Sequence, residues 1–259
     1  MSASVQRANK PKKPGKERLD VLLVERGLAP SRERARALLL AGQVRVAGAL
    51  AGKAGTQIAK DAAIEIVGET LRYASRAGLK LEGAIEDFGV LAERKICLDV
   101  GSSTGGFTDC LLQHGAAKVH AVDVTIDQLD WKLRQDPRVR TIERNARHLR
   151  AEDIGEPVDL VTMDVSFISV AKVLPAVVES AGAHAEFVIL VKPQFELERR
   201  AVGKGGIVRD PAAQERAIEQ VKAAATAAGL ETLGIRPSRV RGAEGNQEFF
   251  LHARRRTVE

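Results

Sequence analysis

Four charged residues stand where an α/β chain would present them to a ligand. Asp164 ends the run VDLVTMD and Lys192 ends EFVILVK, both at the carboxyl ends of expected central strands. Glu248 opens the last expected strand, in NQEFF, and Lys80 lies in the helical stretch SRAGLKLEGAIEDF. Read singly, Lys80 is a snorkelling surface lysine, and Asp164 or Lys192 a strand-end charge in water. Read together they make a Lys-Asp-Lys-Glu set, two amines and two carboxylates of the kind that hold and move protons. Ser166, in MDVSF, lies beside them in sequence.

The second chemical feature is the glycine-rich turn LDVGSSTGGFTDC, Leu98 to Cys110. Its Gly101-x-x-x-x-Gly106 spacing approaches a Walker A loop, but Phe107 stands where that loop needs a lysine for the β/γ-phosphates. A dinucleotide turn wants glycine where Ser103 stands, to let the backbone approach a pyrophosphate. Asp99, ending the strand just before Gly101, Ser102, Ser103, Thr104, Gly105 and Gly106, would repel pyrophosphate and attract a cationic amino-acid tail. Asp123, at the end of the next strand, suits a ribose hydroxyl, and Asn145, after the third, an adenine edge. S-adenosylmethionine carries a cationic tail, a sulfonium and an adenosine, and no phosphate. It fits the turn better than NAD or ATP.

The elements that must position these groups read as alternating strands and helices. Expected strands are KICLDV, KVHAVDV, VRTIERN, VDLVTMDV, EFVILVKP, TLGIRPS and EFFLHAR, with amphipathic stretches between most of them. That alternation predicts a Rossmann-like α/β fold, a mostly parallel seven-stranded sheet covered on both faces, with ligands beyond the strands' carboxyl ends. The glycine-rich loop GKGGIVRDP, Gly203 to Pro211, carries Lys204 and Arg209 and reads as a lid touching RNA or as an ordinary connection. Trp131, in QLDWKLR, reads as a packing residue.

The amino-terminal part reads differently. ERLDVLLVERGL spaces its leucines as a helix, and Ser31 is placed to cap a second one, RERARALLLAG, ended by Gly42. QVRVAG and AAIEIVG then alternate as strands. Arg32, Arg34 and Arg36 on the second helix cannot all enter a core. The order helix, S-R-E-R-A-R-A-L-L-L-A-G helix, Q-V-R-V strand resembles the small α+β S4 RNA-binding fold. That resemblance implies that these arginines lie along the sugar-phosphate backbone of structured RNA. The chain thus divides into a basic tail (1–16), an S4-like domain (17–67), a linker (68–75) and a catalytic domain (76–259).

RYASRAGLKL, LDVGSSTGGFTDCLL, TMDVSFIS, LVKPQFE and GNQEFF, in this order, resemble the FtsJ-type ribose 2′-O-methyltransferases, which are class I methyltransferases. With the S4-like part in front, the chain resembles the TlyA (haemolysin A) family of rRNA methyltransferases, from about Arg18 onward. The resemblance implies methyl transfer from S-adenosylmethionine to the 2′-hydroxyl of cytidines in 16S or 23S RNA. It implies Lys80, Asp164, Lys192 and Glu248 as the catalytic tetrad. Lys192 would accept the hydroxyl proton or stabilise the alkoxide, and Asp164, also a cofactor neighbour, would orient it. Lys80 and Glu248 would fix the ribose and share the proton network. The resemblance adds Arg18, Arg72 and Arg76 to the RNA-contacting arginines.

Composition agrees with a polyanionic partner: the net charge is +6 over 259 residues. Aromatic residues make up 3%, too few for a stacking platform along a single strand. No apolar run approaches the roughly 20 residues of a membrane span, and the basic start has no apolar segment behind it to make a secretory signal. Cys97 and Cys110 form no metal-ligand spacing, which predicts a reduced, cytoplasmic protein without a metal. Two further readings, a haemolysin or cytotoxin and a non-catalytic RNA-binding assembly factor, stand beside the enzyme. The first lacks a membrane-active element, and the intact tetrad speaks against the second.

Overall fold

The computed structural model describes residues 15–29, 31–40, 43–51, 53–67, 72–198, 201–242 and 245–256. The basic tail up to residue 14, the helix-ending Gly42, linker residues 68 to 71 and the Lys204 side chain lie outside the described part. The chain divides into two compact units, residues 1–70 and 71–259.

The first unit runs β1 (Lys16–Arg18), α1 (Leu19–Glu25), α2 (Arg32–Leu40), β2 (Val44–Val46), β3 (Ala49–Leu50), β4 (Gln57–Ala59) and β5 (Ile64–Ile66). Both expected helices are present, but the first begins only at Leu19, because residues 16 to 18 are extended and pair antiparallel with β4. Ser31 caps α2 as expected, its Oγ accepting the Arg34 N–H at 3.2 Å. The expected strands are β2 and β5, antiparallel with Val44 opposite Ile66. Leu19, Leu23, Ala35, Leu39 and Val44 close a small core.

The second unit runs α3 (Ala77–Phe88), β6 (Ile96–Val100), α4 (Gly106–Gln113), β7 (Lys118–Asp123), α5 (Trp131–Gln135), β8 (Val139–Glu143), α6 (Ala151–Ile154) and β9 (Leu160–Met163). It continues with α7 (Leu174–Ser180), β10 (Glu186–Val191), α8 (Pro193–Glu196), α9 (Pro211–Ala227), β11 (Leu230–Pro237) and β12 (Phe249–Arg255). All seven expected strands form one sheet in the order β11-β12-β10-β9-β6-β7-β8. Strands β10, β9, β6, β7 and β8 are parallel, and β12 runs antiparallel to β10 and β11.

Alternation along the strands sorts the core into two layers. Leu98, Val100, Val161, Met163, Phe187 and Ile189 pack on one face. Cys97, Leu160, Val188, Leu190 and Phe250 pack on the other, against Leu81 and Ile85 of α3 and Leu111 of α4. Trp131 departs from the packing expectation: it opens α5 and is 45% exposed. Among the described residues no helix is long and apolar enough to cross a membrane.

Candidate active site

The sheet's parity and register bring the four charged residues together. Asp164 lies two residues past Thr162, Lys192 two past Leu190, and Glu248 two before Phe250. All three therefore share the face that α3 covers. Because β12 is antiparallel, its amino end lies beside the carboxyl end of β10, with Val191 opposite Phe249. One step further along that register sets Lys192 across from Glu248. Lys80 comes down on the same spot from α3, whose neighbours Leu81, Ala84 and Ile85 are buried.

The four form two buried ion pairs. Lys80 Nζ donates to Glu248 Oε2 at 2.6 Å. Lys192 Nζ lies 2.5 Å from Asp164 Oδ1 and donates to Ser166 Oγ at 2.7 Å. The Lys192–Asp164 contact is an ion pair without hydrogen-bond geometry, so Asp164 Oδ1 is left with no hydrogen-bond partner. Lys80, Lys192 and Glu248 are each less than a tenth exposed. Such burial demands pairing, since removing one partner strands a charge in low dielectric.

The glycine turn holds its shape for reasons partly different from those the sequence suggested. Gly101 has φ +85°, and a Cβ there would lie 2.5 Å from the Asp164 carbonyl oxygen. A Cβ on Gly106 would lie 2.3 Å from Ser75 Oγ. These glycines let protein segments approach one another, with Ser102 to Gly105 bridging between them. Ser103 takes a left-handed φ of 47° without being glycine, and its N–H donates to Asp123 Oδ2 at 2.8 Å. Phe107 is buried, its ring centroid 6.2 Å from that of Phe250.

Asp99 sits deeper than its place at the strand end suggests. It shares parity with Cys97, so its carboxylate points under the turn toward α4 and not out of the strand end. Thr108 donates to Oδ2 at 2.6 Å and Thr162 to Oδ1 at 3.2 Å. Asp99 is fully buried, which pushes its carboxyl up to about 7. It lines none of the cavities around the turn. Asp164, by contrast, lines the two cavities over the turn.

Three cavities meet at Ser166. One of about 120 Å³ lies over the turn against Ser75, Thr104 and Phe107. It continues past Gly101, Ser103 and Asp164 into one of about 420 Å³ bounded by Asp123, Asn145 and Phe167. A third, about 360 Å³, is lined by Lys80, Lys192, Glu248, Gln194 and Phe195, and shares Phe167 with the second. Asn145 also serves its own turn, accepting the Arg147 N–H at 3.1 Å. The first two cavities together suit an elongated ligand with a ribose, and Gln194 Oε1, buried without a partner, is an open acceptor in the third.

Phe167 is the functional candidate that sequence reasoning passed over, although MDVSFIS was noted. It is 92% exposed, has φ +63°, and tilts against Phe195 with ring centroids 5.2 Å apart. An exposed ring on a strained backbone persists only if its surroundings hold it. Glu196 fastens the segment just after Phe167, accepting from Ser169 Oγ at 2.6 Å and from the Val170 N–H at 2.9 Å. Alternation patterns carry no signal for such a residue, and Ser75 was likewise missed because it reaches the turn from outside the motif.

In the first unit, three of the arginines converge on one carboxylate. Asp20, fully shielded, accepts from Arg18 and Arg32 at 3.0 Å each and lies 3.7 Å from Arg36. The Arg18 guanidinium holds the Asp20 carboxyl well below its ordinary range. Arg34, two residues from each helical partner, lies half-buried on another side of α2. In the second unit Arg72 pairs with Glu82 and sits over the Tyr73 ring at 5.3 Å, and Arg76 donates to the Arg241 carbonyl.

This arrangement agrees with what the chain is similar to. The FtsJ-like methyltransferase family matches residues 73–255 and the S4 domain family residues 17–64. The 16S/23S rRNA (cytidine-2′-O)-methyltransferase TlyA of Mycobacterium tuberculosis is 47% identical, the match covering 93% of this chain and 90% of that protein. The chain belongs to the TlyA family. Another relative, Hemolysin A of Brachyspira hyodysenteriae, is 42% identical over 91% of this chain and 98% of its own length. A solved structure from Streptococcus thermophilus is 42% identical with a TM-score of 0.72, covering 93% of this chain and 89% of that one. The TlyA likeness thus spans both units, as the expected Rossmann-like sheet and S4 fold require.

Proposed function

We propose that this chain transfers a methyl group from S-adenosylmethionine to the 2′-hydroxyl of a cytidine in ribosomal RNA, 16S, 23S or both, in the cytoplasm where ribosomal subunits lie. The observation that carries this reading is the meeting of two buried lysine–carboxylate pairs between a long two-part cavity and a separate third one. S-adenosylmethionine, when bound, supplies an electrophilic methyl group on a sulfonium. Asp123 holds the cofactor ribose, Asn145 and the adjoining wall the adenine, and Asp164 the cationic end, a role the sequence had given to Asp99. The turn from Gly101 to Phe107 shapes the floor and carries no lysine for a phosphate.

The third cavity receives the target ribose. A ribose hydroxyl is a weak nucleophile and must lose its proton as it attacks. Lys192 Nζ, held in place by Asp164 and Ser166, gives its own proton to solvent before the reaction, and the neutral amine then takes the proton from O2′ and returns to the ammonium that Asp164 balances. Lys80, balanced by Glu248, faces the charge gathering on O2′ in a site shielded from water, where such a cation counts for more than in solvent. Phe167 stacks on the target base at the mouth. The S4-like unit and its arginines hold the RNA by its phosphates.

Isolated ribosomal subunits incubated with methyl-labelled cofactor test this. Wild type labels 2′-O-methylcytidine, and Lys192→Ala loses about a hundredfold or more in rate with cofactor affinity kept. Wild-type protein that binds the cofactor yet labels neither subunit would overturn the reading.

A further inference from the structure

Beside the acceptor cavity lies a fourth, about 390 Å³, which the mechanism above does not use. Ile207, Arg209, Gln214, Arg241 and Gln247 line it. The two cavities stand back to back. Gly206 and Glu248 line the acceptor side, and their chain neighbours Ile207 and Gln247 line this one. Consecutive Cα atoms are about 3.8 Å apart, so the wall is one backbone thick.

That wall is tied down. Asn246, 1% exposed, accepts the Val208 N–H on Oδ1 and donates from Nδ2 to the Gly206 carbonyl, both at 2.9 Å. Its own carbonyl accepts the Gly242 N–H at 2.9 Å. The glycine-rich segment that the sequence offered as a lid is therefore fastened to the loop that leads into Glu248.

The cavity is positive. Arg209 is exposed and has no hydrogen bond or ion pair to any described residue. Arg241 is anchored, Nη1 donating to the Gly245 carbonyl at 3.2 Å while its own carbonyl accepts from Arg76. The neighbouring carboxylate, Asp210, is turned to α9: Oδ1 accepts the Ala212 N–H at 3.1 Å and Oδ2 lies 4.0 Å from Arg216. The amino end of α9 starts here as well, its Gln214 in the cavity wall, so the positive end of a 17-residue helix adds to the field.

The geometry points to a subsite for a phosphodiester of the RNA strand whose ribose enters the acceptor cavity, held by Arg209 and Arg241. It rests on the reading of that cavity as the ribose site. Guanidinium forks match phosphate oxygens, and a wall one backbone thick sets ribose and phosphate close along one strand. Asn246 keeps the spacing between them.

Binding of the full chain to purified unmethylated ribosomal subunits, measured from about 50 to 200 mM salt, tests this separately from activity. For Arg209→Gln/Arg241→Gln the plot of log affinity against log salt becomes shallower by about 1, and affinity at the upper salt falls roughly tenfold. Arg209→Gln alone, which disturbs no intramolecular contact, gives part of both effects. Arg209→Lys keeps the slope. Cofactor affinity stays within about twofold of wild type throughout. An unchanged slope and affinity in the double variant overturns the subsite, whether or not the wild type methylates. A shallower slope in a chain that never methylates leaves the subsite standing and removes the proposed reaction.

Discussion

The two units use buried carboxylates in opposite ways. In the first, one carboxylate, Asp20, is shared by the guanidiniums of Arg18, Arg32 and Arg36, each of them about half exposed. Three cations on one anion leave a surplus of positive charge at fixed positions, which is what a phosphate backbone needs. In the second, Lys80 with Glu248 and Lys192 with Asp164 balance one to one and are nearly closed to water. A balanced pair has no long-range pull on RNA. Its use lies in a local field that changes when a proton moves. On the proposed reading the first arrangement recruits RNA and the second reacts, and substitutions should tell them apart.

The largest effect is expected where balance is broken out of water. Lys80→Met leaves Glu248 buried and alone, at a cost of about 3 to 5 kcal/mol in stability, read by denaturant unfolding. Methylation falls with it, and Lys80→Met/Glu248→Gln recovers part of the stability without the activity. Equal stability of the single and double variants would break the comparison.

A fourth buried carboxylate separates pairing from burial. Asp99 has hydroxyl donors and no cation, and its carboxyl is raised to about 7. A raised carboxyl favours the protonated form in the folded state. Its stabilisation is therefore whole below about pH 4 and is lost as pH rises through about 7. Asp99→Asn removes that loss, making the protein more stable at pH 8 by up to about 4 kcal/mol and no different at pH 4. A stability curve parallel to wild type across this range would contradict the assignment.

Phe167 acts without charge. Phe167→Ala should cost about 1 to 2 kcal/mol in kcat/KM, the worth of one stacked base, and leave the salt dependence of RNA binding unchanged. The smallest effect belongs to the surplus cluster. Arg36→Gln leaves Asp20 two guanidiniums, so stability changes by less than about 0.5 kcal/mol, while subunit affinity falls and its salt slope becomes shallower. A large loss of stability would mean that Arg36 holds the unit together and is not held for RNA.

Much of this was legible in the sequence because parity and strand ends are local. Asp164 and Lys192 follow apolar strands by a fixed count, and every strand of the sheet announced itself by its apolar run. Asp99 was legible too, had its parity with Cys97 been weighed before its charge. The glycines of the turn were legible only as a turn, because Gly101 answers to the Asp164 carbonyl and Gly106 to Ser75, far away in the chain. Asp20 looked like one polar residue in LDVLLVE, since the arginines that surround it come from β1 and a second helix. Strands β3 and β4, two and three residues long, are too short to show a period. Phe167 gave no local sign, as neither its exposure nor its left-handed backbone follows from an apolar pattern.

Single-turnover methylation at saturating ribosomal subunits, run side by side on Lys192→Met and Asp20→Asn with subunit affinity measured on the same samples, tests the division of labour most directly. Lys192→Met should lose about a thousandfold in rate and bind subunits as wild type does. Asp20→Asn should keep the rate at saturation and bind about tenfold more weakly, because its arginines are no longer held in place. Loss of rate in Asp20→Asn, or loss of affinity in Lys192→Met, would contradict the account.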